Sequence, residues 1–120
     1  MPVSVGEWQK QHHENCEIEF LAVQLTSFGF MLSVAEVKEL CDKLRQLTTE
    51  GTCKSKEGDS LFVDLDSVTR KEPFVILAAR PEKRGLAWFC DIPEHSARQL
   101  YEKLAQRLDE RTVSDSSGDA

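Results

Sequence analysis

Two stretches sixty residues apart constrain the fold more than anything else in the chain: FGFMLSVAEVKELCDKL from Phe28 and AWFCDIPEHSARQLYEKL from Ala87. Each reads as a strand running directly into a helix. Ser33 and Glu36 have the S-x-x-E spacing of a capping box, in which each side chain satisfies a free backbone N–H of the first turn. Leu32 and Val37 stand where a hydrophobic staple closes over such a cap. Val34, Val37, Leu40, Cys41, Leu44 and Leu47 then recur every three or four residues and make one apolar stripe, and Gly51 is a stop signal. In the second stretch Asp91 and Glu94 repeat the cap spacing, with Pro93 in the first turn where its missing N–H costs nothing. That predicts a helix from about Asp91, with Ala97, Leu100, Tyr101, Leu104 and Leu108 as its stripe.

With an offset of sixty, Leu40 meets Leu100, Lys43 meets Lys103 and Leu44 meets Leu104. The match suggests a pseudo-repeat, ββα followed by βββα. Convergence is the competing account, since strand-to-helix junctions favour such caps in general.

The remaining strands follow from alternation. Residues 17–25 (EIEFLAVQL) carry apolar residues on both alternating sets, the pattern of a strand covered on both faces at its middle. FGFML is its hairpin partner across Thr26-Ser27, with Phe28 and Phe30 on a shared face. SLFVDLD alternates, PFVILAA is almost wholly apolar and reads as a central strand, and GLAWFCDI follows, so the three form an antiparallel meander. The expected fold is a single α+β domain: one antiparallel or mixed sheet of about five strands, order ββαβββα, with both helices on one face. Residues 1–16 read as a polar amino-terminal arm with Trp8 its one large apolar side chain, residues 17–111 as the domain, and 112–120 (TVSDSSGDA) as a disordered acidic tail.

A chain of 120 residues suits one core, and its 40% apolar and 30% charged residues are ordinary globular composition. The longest apolar run, Phe74 to Ala79, is far short of the roughly 20 residues a membrane helix needs. MPVSVGEWQKQ lacks the basic and apolar regions of a secretory signal, so a cytoplasmic protein is expected. Cys16, Cys41, Cys53 and Cys90 then read as free thiols. The net charge of −6 opposes non-specific binding to phosphate backbones at long range.

Catalytic chemistry finds little support. Cys90 and His95 straddle the start of the second helix, where a helix N-terminus can lower a thiol pKa, and they are the best nucleophile–base pair present. The plainer account is an apolar-strand cysteine and a solvated histidine. For metal, His12 and Cys16 at i, i+4 could share a helical face with His13 nearby, yet a structural zinc site wants four ligands and no CxxC accompanies them. Asp64 and Asp66 share one face of a strand, most simply a solvated one. There is no GxxxxGK or GxGxxG. No enzyme activity, cofactor or metal is expected.

Charge and aromatic patterning point instead to binding. A meander brings Lys54 and Lys56, before its first strand, to the same end as Arg80, Lys83 and Arg84, with Arg70 and Lys71 at the other end. Five cations at one edge suit an acidic partner or a phosphate. With helices on one sheet face, Phe62 and Trp88, joined by Phe28 or Phe30, would lie on the other and form an apolar patch. The leading expectation is a protein-binding module, an adaptor, inhibitor or chaperone, using Phe62, Trp88 and the basic edge. A homodimer through the same face is a further option. The alternative is nucleic-acid binding through these aromatic and basic residues, and a cysteine- or metal-dependent enzyme comes third. In gross character alone the chain resembles small acidic immunity proteins, secretion chaperones and phage-encoded inhibitors, with no motif that carries over a functional residue.

Overall fold

The computed structural model describes residues 2–25, 28–51, 53, 61–66, 73–79 and 89–118. The elements are β1 (Ser4–Val5), β2 (Gln9–His13), β3 (Cys16–Gln24), β4 (Gly29–Ser33), α1 (Val34–Glu50), β5 (Leu61–Asp66), β6 (Phe74–Ala79), β7 (Phe89–Pro93) and α2 (Glu94–Gly118). All strand pairing is antiparallel, and the architecture is α+β with two helices, as expected. The strands form two sheets rather than one. Sheet A joins β1, β2 and β4 to a central β3, and sheet B is the meander β5-β6-β7 with β6 in the middle. Among the described residues no strand of one sheet packs on a strand of the other. Both helices touch each other and both sheets.

Each helix follows the last strand of its own sheet without a linker. β4 ends at Ser33 and α1 begins at Val34; β7 ends at Pro93 and α2 begins at Glu94. The sixty-residue offset therefore holds at both junctions. The expected single sheet carrying both helices does not.

At the first junction the capping box is present: the Glu36 N–H donates to Ser33 Oγ at 3.2 Å and the Ser33 N–H to Glu36 Oε1 at 3.0 Å. Gly51 closes α1 with φ of 75°, a left-handed conformation glycine adopts without Cβ strain, and its N–H donates to the Leu47 carbonyl. The second junction differs from expectation. Asp91 lies within β7, opposite Ile76, and the helix starts three residues later at Glu94. Pairing with β6 continues to Pro93, and the Glu94 N–H donates to the Pro73 carbonyl at 3.0 Å. The sheet holds residues that local spacing assigns to the helix.

The first sixteen residues contribute two strands. Val5 pairs with Val23 and Gln9 with Phe20, so Gly6 to Trp8 stand opposite Leu21 and Ala22 alone. The extra residue is a bulge, which reverses the faces of the chain beyond it. Val3 and Val5 point into the core before it, and Trp8 does so after it. Glu14 and Asn15 then turn the chain with positive φ of 46° and 66°, the sign that two-residue hairpins of the I′ kind require. At the other end the α2 backbone is helical to Gly118, beyond the Arg111 that sequence suggests as the limit of the domain.

One core unites the parts. Val37, Leu40, Leu44 and Leu47 of α1 and Ala97, Leu100 and Leu104 of α2 pack with Leu21, Val23 and Leu32 of sheet A and Leu61, Val63, Val75, Leu77 and Ile92 of sheet B. Each fully buried aliphatic side chain contributes about 1.5–3 kcal/mol. Lys43 and Lys103, matched by the offset, act in reciprocal fashion. Lys43 of the first half donates to the Leu61 carbonyl in the second half, and Lys103 of the second half donates to the Val3 carbonyl in the first. Glu39 completes the first brace, accepting the Leu61 N–H at 2.6 Å while 3.8 Å from the Lys43 ammonium.

Truncating Lys43 takes a donor from a buried carbonyl and removes the cation beside the Glu39 carboxylate. Lys43→Ala is expected to lower unfolding free energy by roughly 3 kcal/mol, Ser33→Ala by about 1, and the exposed Lys38→Ala by less than about 0.5, measured by urea denaturation.

Candidate functional site

The five cations singled out from sequence, Lys54, Lys56, Arg80, Lys83 and Arg84, lie outside the described residues, as does Trp88. Strand register fixes where their segments attach: Leu61 opens β5 opposite Ala79, the last residue of β6, and Phe89 opens β7 opposite Ala78. Phe62 lies on β5 opposite Ala78, and its side chain is outside the description. The other two aromatics are on the core side of sheet A. Phe30 is buried, and Phe28 is half-buried with its ring centroid 5.8 Å from that of Phe30. They contribute to the core and not to an open sheet face, because Phe30 pairs with Val23 on the side the helices cover.

What sheet A leaves open is a different set of residues. Leu21, Val23 and Leu25 face the helices and are buried, whereas Ile18, Phe20 and Ala22 on the opposite side of β3 are not covered. Sequence suggests that β3 is buried on both faces; the structure covers one. Met31 stands opposite Ala22 on β4 and is 65% exposed, and Ile18 is 46% exposed, the two large apolar side chains most open to solvent among the described residues. Gln9 pairs with Phe20, Gln11 with Ile18, Ser4 with Gln24 and Gln24 with Gly29. The open face thus has an apolar centre and a rim of amides and a hydroxyl. Its strand-paired positions, from Ser4 to Ser33, contain no Asp, Glu, Lys or Arg, and the exposed Glu7 stands in the bulge opposite Ala22.

The charges of these strands are on the other side. Lys10 lies 3.7 Å from Glu17 and 3.9 Å from Glu19. Glu19 accepts a hydrogen bond from Arg111 of α2, whose guanidinium carbon is 5.8 Å from the centre of the Trp8 ring, and Trp8 Nε1 donates to the Arg107 carbonyl at 2.8 Å. These contacts hold the amino-terminal strand and the β2–β3 hairpin against α2.

That hairpin removes the proposed metal geometry. His12 stands opposite Glu17 and Cys16 opposite His13, so His12 and Cys16 lie on opposite faces of a ribbon instead of one face of a helix. Among the described residues no group of three His, Cys, Asp or Glu side chains is placed to hold a metal ion. On sheet B, Asp64 and Asp66 share the face opposite Leu61 and Val63, and Asp64 is solvent-exposed.

Cys90 and His95 lie on adjoining elements, β7 and α2. Cys90 is half-buried on β7, and burial, with the adjacent Asp91 carboxylate adding to it, pushes its thiol up to about 11. A nucleophile needs the opposite shift. His95 is exposed on the first turn of α2. Between the helices runs an open groove of about 260 Å3 lined by Lys38, Cys41, Asp42, Arg45, Tyr101 and Leu108. Burial raises the Cys41 thiol, Arg45 opposes the shift, and Asp42 and Asp109 add to it. Arg45 is paired with Asp42 at 2.6 Å. A second cavity of about 20 Å3, lined by Leu44, Leu47, Leu65, Val75 and Ala97 with Thr48, Glu94 and Arg98, has room for about one water. None of Cys16, Cys41, Cys53 and Cys90 is in a disulfide. No helix among the described residues is long and apolar enough to cross a membrane.

No family model and no curated protein matches this chain.

Cys90 gives a pH dependence of known sign. Its pKa is 9.0 by the reference value and about 11 in the folded protein. The unfolded chain therefore releases the proton first as pH rises, and stability falls between about 9 and 11. The urea midpoint of the wild type is expected to drop more between pH 8 and pH 10.5 than that of Cys90→Ala.

Proposed function

We propose that this protein is a non-catalytic protein-binding module, adaptor, inhibitor or chaperone-like, whose main contact surface is the open face of sheet A. The observation that carries the reading is the exposure of Ile18 and Met31 beside half-buried Phe20 and Ala22 on one uncovered sheet face. Scattered surface apolar residues need no explanation, but contiguous ones rimmed by polar groups mark interaction sites. Interfaces are depleted of charge at their centre, and the ladder partners of Ile18 and Phe20 on this face, Gln11, Gln9 and Ser33, are uncharged.

The basic edge formed by Lys54, Lys56, Arg80, Lys83 and Arg84 is part of the same proposal as a second contact, suited to acidic groups on a partner. Support for it is the strand register, which attaches the segments carrying these residues to one end of sheet B. A cytoplasmic setting is proposed with it, since a reducing compartment keeps cysteines out of disulfides, and none of the four is in one.

Affinity capture from nuclease-treated lysate of the native source tests the reading, with the wild type run beside Met31→Glu. A protein retained by the wild type and reduced at least about tenfold by the variant is the expected result, the size of effect that losing a central interface side chain gives. Equal retention by both, with the variant's thermal melt unchanged, overturns the assignment to this face.

A further inference from the structure

Each sheet has two outer edges, and three of these four carry features that keep an edge from pairing with another chain. On the amino-terminal side of sheet A, β1 is two residues long, the bulge at Gly6 to Trp8 interrupts the ladder, and Lys10 stands within β2. In sheet B, α1 caps the outer edge of β5. The Leu61 N–H donates to Glu39 at 2.6 Å and the Leu61 carbonyl accepts from Lys43, while the Leu65 N–H donates to Asp64 Oδ1 at 2.8 Å. Since Leu61 turns its backbone groups away from β6, alternation across β6 turns those of Asp91 and Pro93 outward on β7. That edge presents an acidic residue and a residue with no N–H to offer.

β4 is the fourth edge. Its sequence, GFMLS, has no charge and no proline, and it pairs with β3 residue for residue without a bulge. The Leu25 N–H donates to the Phe28 carbonyl, so alternation turns the backbone groups of Phe30 and Leu32 toward β3 and those of Gly29, Met31 and Ser33 outward. The Ser33 N–H is engaged by Glu36 Oε1. Gly29 and Met31 are both exposed, and among the described residues neither makes a backbone hydrogen bond outside the β3 ladder. What such a row of N–H and C=O groups accepts is another extended backbone.

We infer that β4 pairs antiparallel with β4 of a second copy, about a two-fold axis at Phe30. Gly29 of each copy then faces Met31 of the other, and each pair exchanges both of its N–H···O bonds, which uses every outward N–H and C=O of the two residues. Length selects this occupant. The open stretch is bounded by the capped Ser33 at one end and by the Leu25–Phe28 turn bond at the other. A longer strand overhangs both ends with no ladder to join, whereas a second β4 has the same short stretch and matches it group for group. Residues near a two-fold axis meet their own kind, and the uncharged GFMLS does so without repulsion. The pairing joins two four-stranded sheets into one and leaves the open face of sheet A uncovered. It therefore goes beyond the protein-binding reading and stands apart from it. Five residues at about 3.3 Å each make a junction of roughly 16 Å, far less than a standard interface, so the dimer is weak.

Sedimentation equilibrium of the full chain from about 1 µM to 1 mM tests this, a range that spans the affinities of small interfaces. The wild type is expected to pass from monomer to dimer within it. Met31→Pro removes an N–H that points away from β3, so the β3–β4 ladder is kept. It is expected to weaken association at least about tenfold with an unchanged circular dichroism melt. Met31→Thr keeps the N–H and the strand preference, and is expected to stay within about threefold of the wild type. Where Met31→Pro alters the melt, amide hydrogen exchange of the wild type decides: the Gly29 and Met31 N–H are expected to slow at least about twofold between about 50 µM and 1 mM. A wild type that stays monomeric overturns the inference, as does a dimer that Met31→Pro leaves equally tight. A dimer that Met31→Thr weakens as much as Met31→Pro, or edge amides whose exchange ignores concentration, also overturns it. None of these results decides capture through the open face, which Met31→Glu reads separately.

Discussion

Among the described residues no strand of sheet A packs on a strand of sheet B, so the apolar residues on their inner faces depend on the stripes that α1 and α2 turn toward both. Sheets of three and four strands need something packed on one face to exclude water. Leu40 and Leu44 of α1, with Leu100 and Leu104 of α2, form that packing, all of them at most 2% exposed. The braces from Lys43 to Leu61 and from Lys103 to Val3 tie each helix to the first residues of the opposite half. They also act on backbone at the margins of the sheets, where ladder hydrogen bonds end and unpaired carbonyls are otherwise left.

Placing both helices on the inner side decides what remains outside. Once Leu21, Val23, Phe30 and Leu32 are turned inward, alternation turns Ile18, Phe20, Ala22 and Met31 outward. The bulge at Gly6 to Trp8 gives the edge strand the same division under a different count. Without its extra residue Trp8 would face solvent and Gln9 the core. With it, Trp8 reaches the Arg107 carbonyl and the charged residues of β2 and β3 are grouped on the side of α2.

The α1 cap, its stripe, its glycine stop, the β3–β4 hairpin and the β5-β6-β7 meander were legible because each is encoded within a few residues. The amino-terminal strands were not. Val3, Val5 and Trp8 break period two at the bulge, and QKQHH is polar at every position because β2 lies beyond the core. Asn15, which tolerates positive φ, was the local sign of the tight turn. The start of α2 was misplaced because Asp91-x-x-Glu94 satisfies the spacing of a cap while the β6 ladder holds Asp91 extended.

For the candidate site, sequence offered Phe28 or Phe30 for an open sheet face, and the structure has both against the core, while the Phe62 side chain and Trp88 lie outside the described residues. The two alternating sets of β3 are equally apolar, Leu21, Val23 and Leu25 against Ile18, Phe20 and Ala22. Nothing local distinguishes the set that goes inward. Lys43 is a similar case: a lysine beside a leucine stripe looks solvated until β5 places the Leu61 carbonyl against it.

By itself the sequence determined where α1, the strands from β3 to β7 and the body of α2 form, and that the charge is net acidic, because these depend on backbone preference, side-chain period and composition. Tertiary structure alone decided that the strands divide into two sheets, that the helices bridge them, and which face of β3 is left to solvent. Those outcomes depend on contacts between residues far apart in the chain, such as Trp8 with Arg107 or Lys103 with Val3, and no local pattern encodes them.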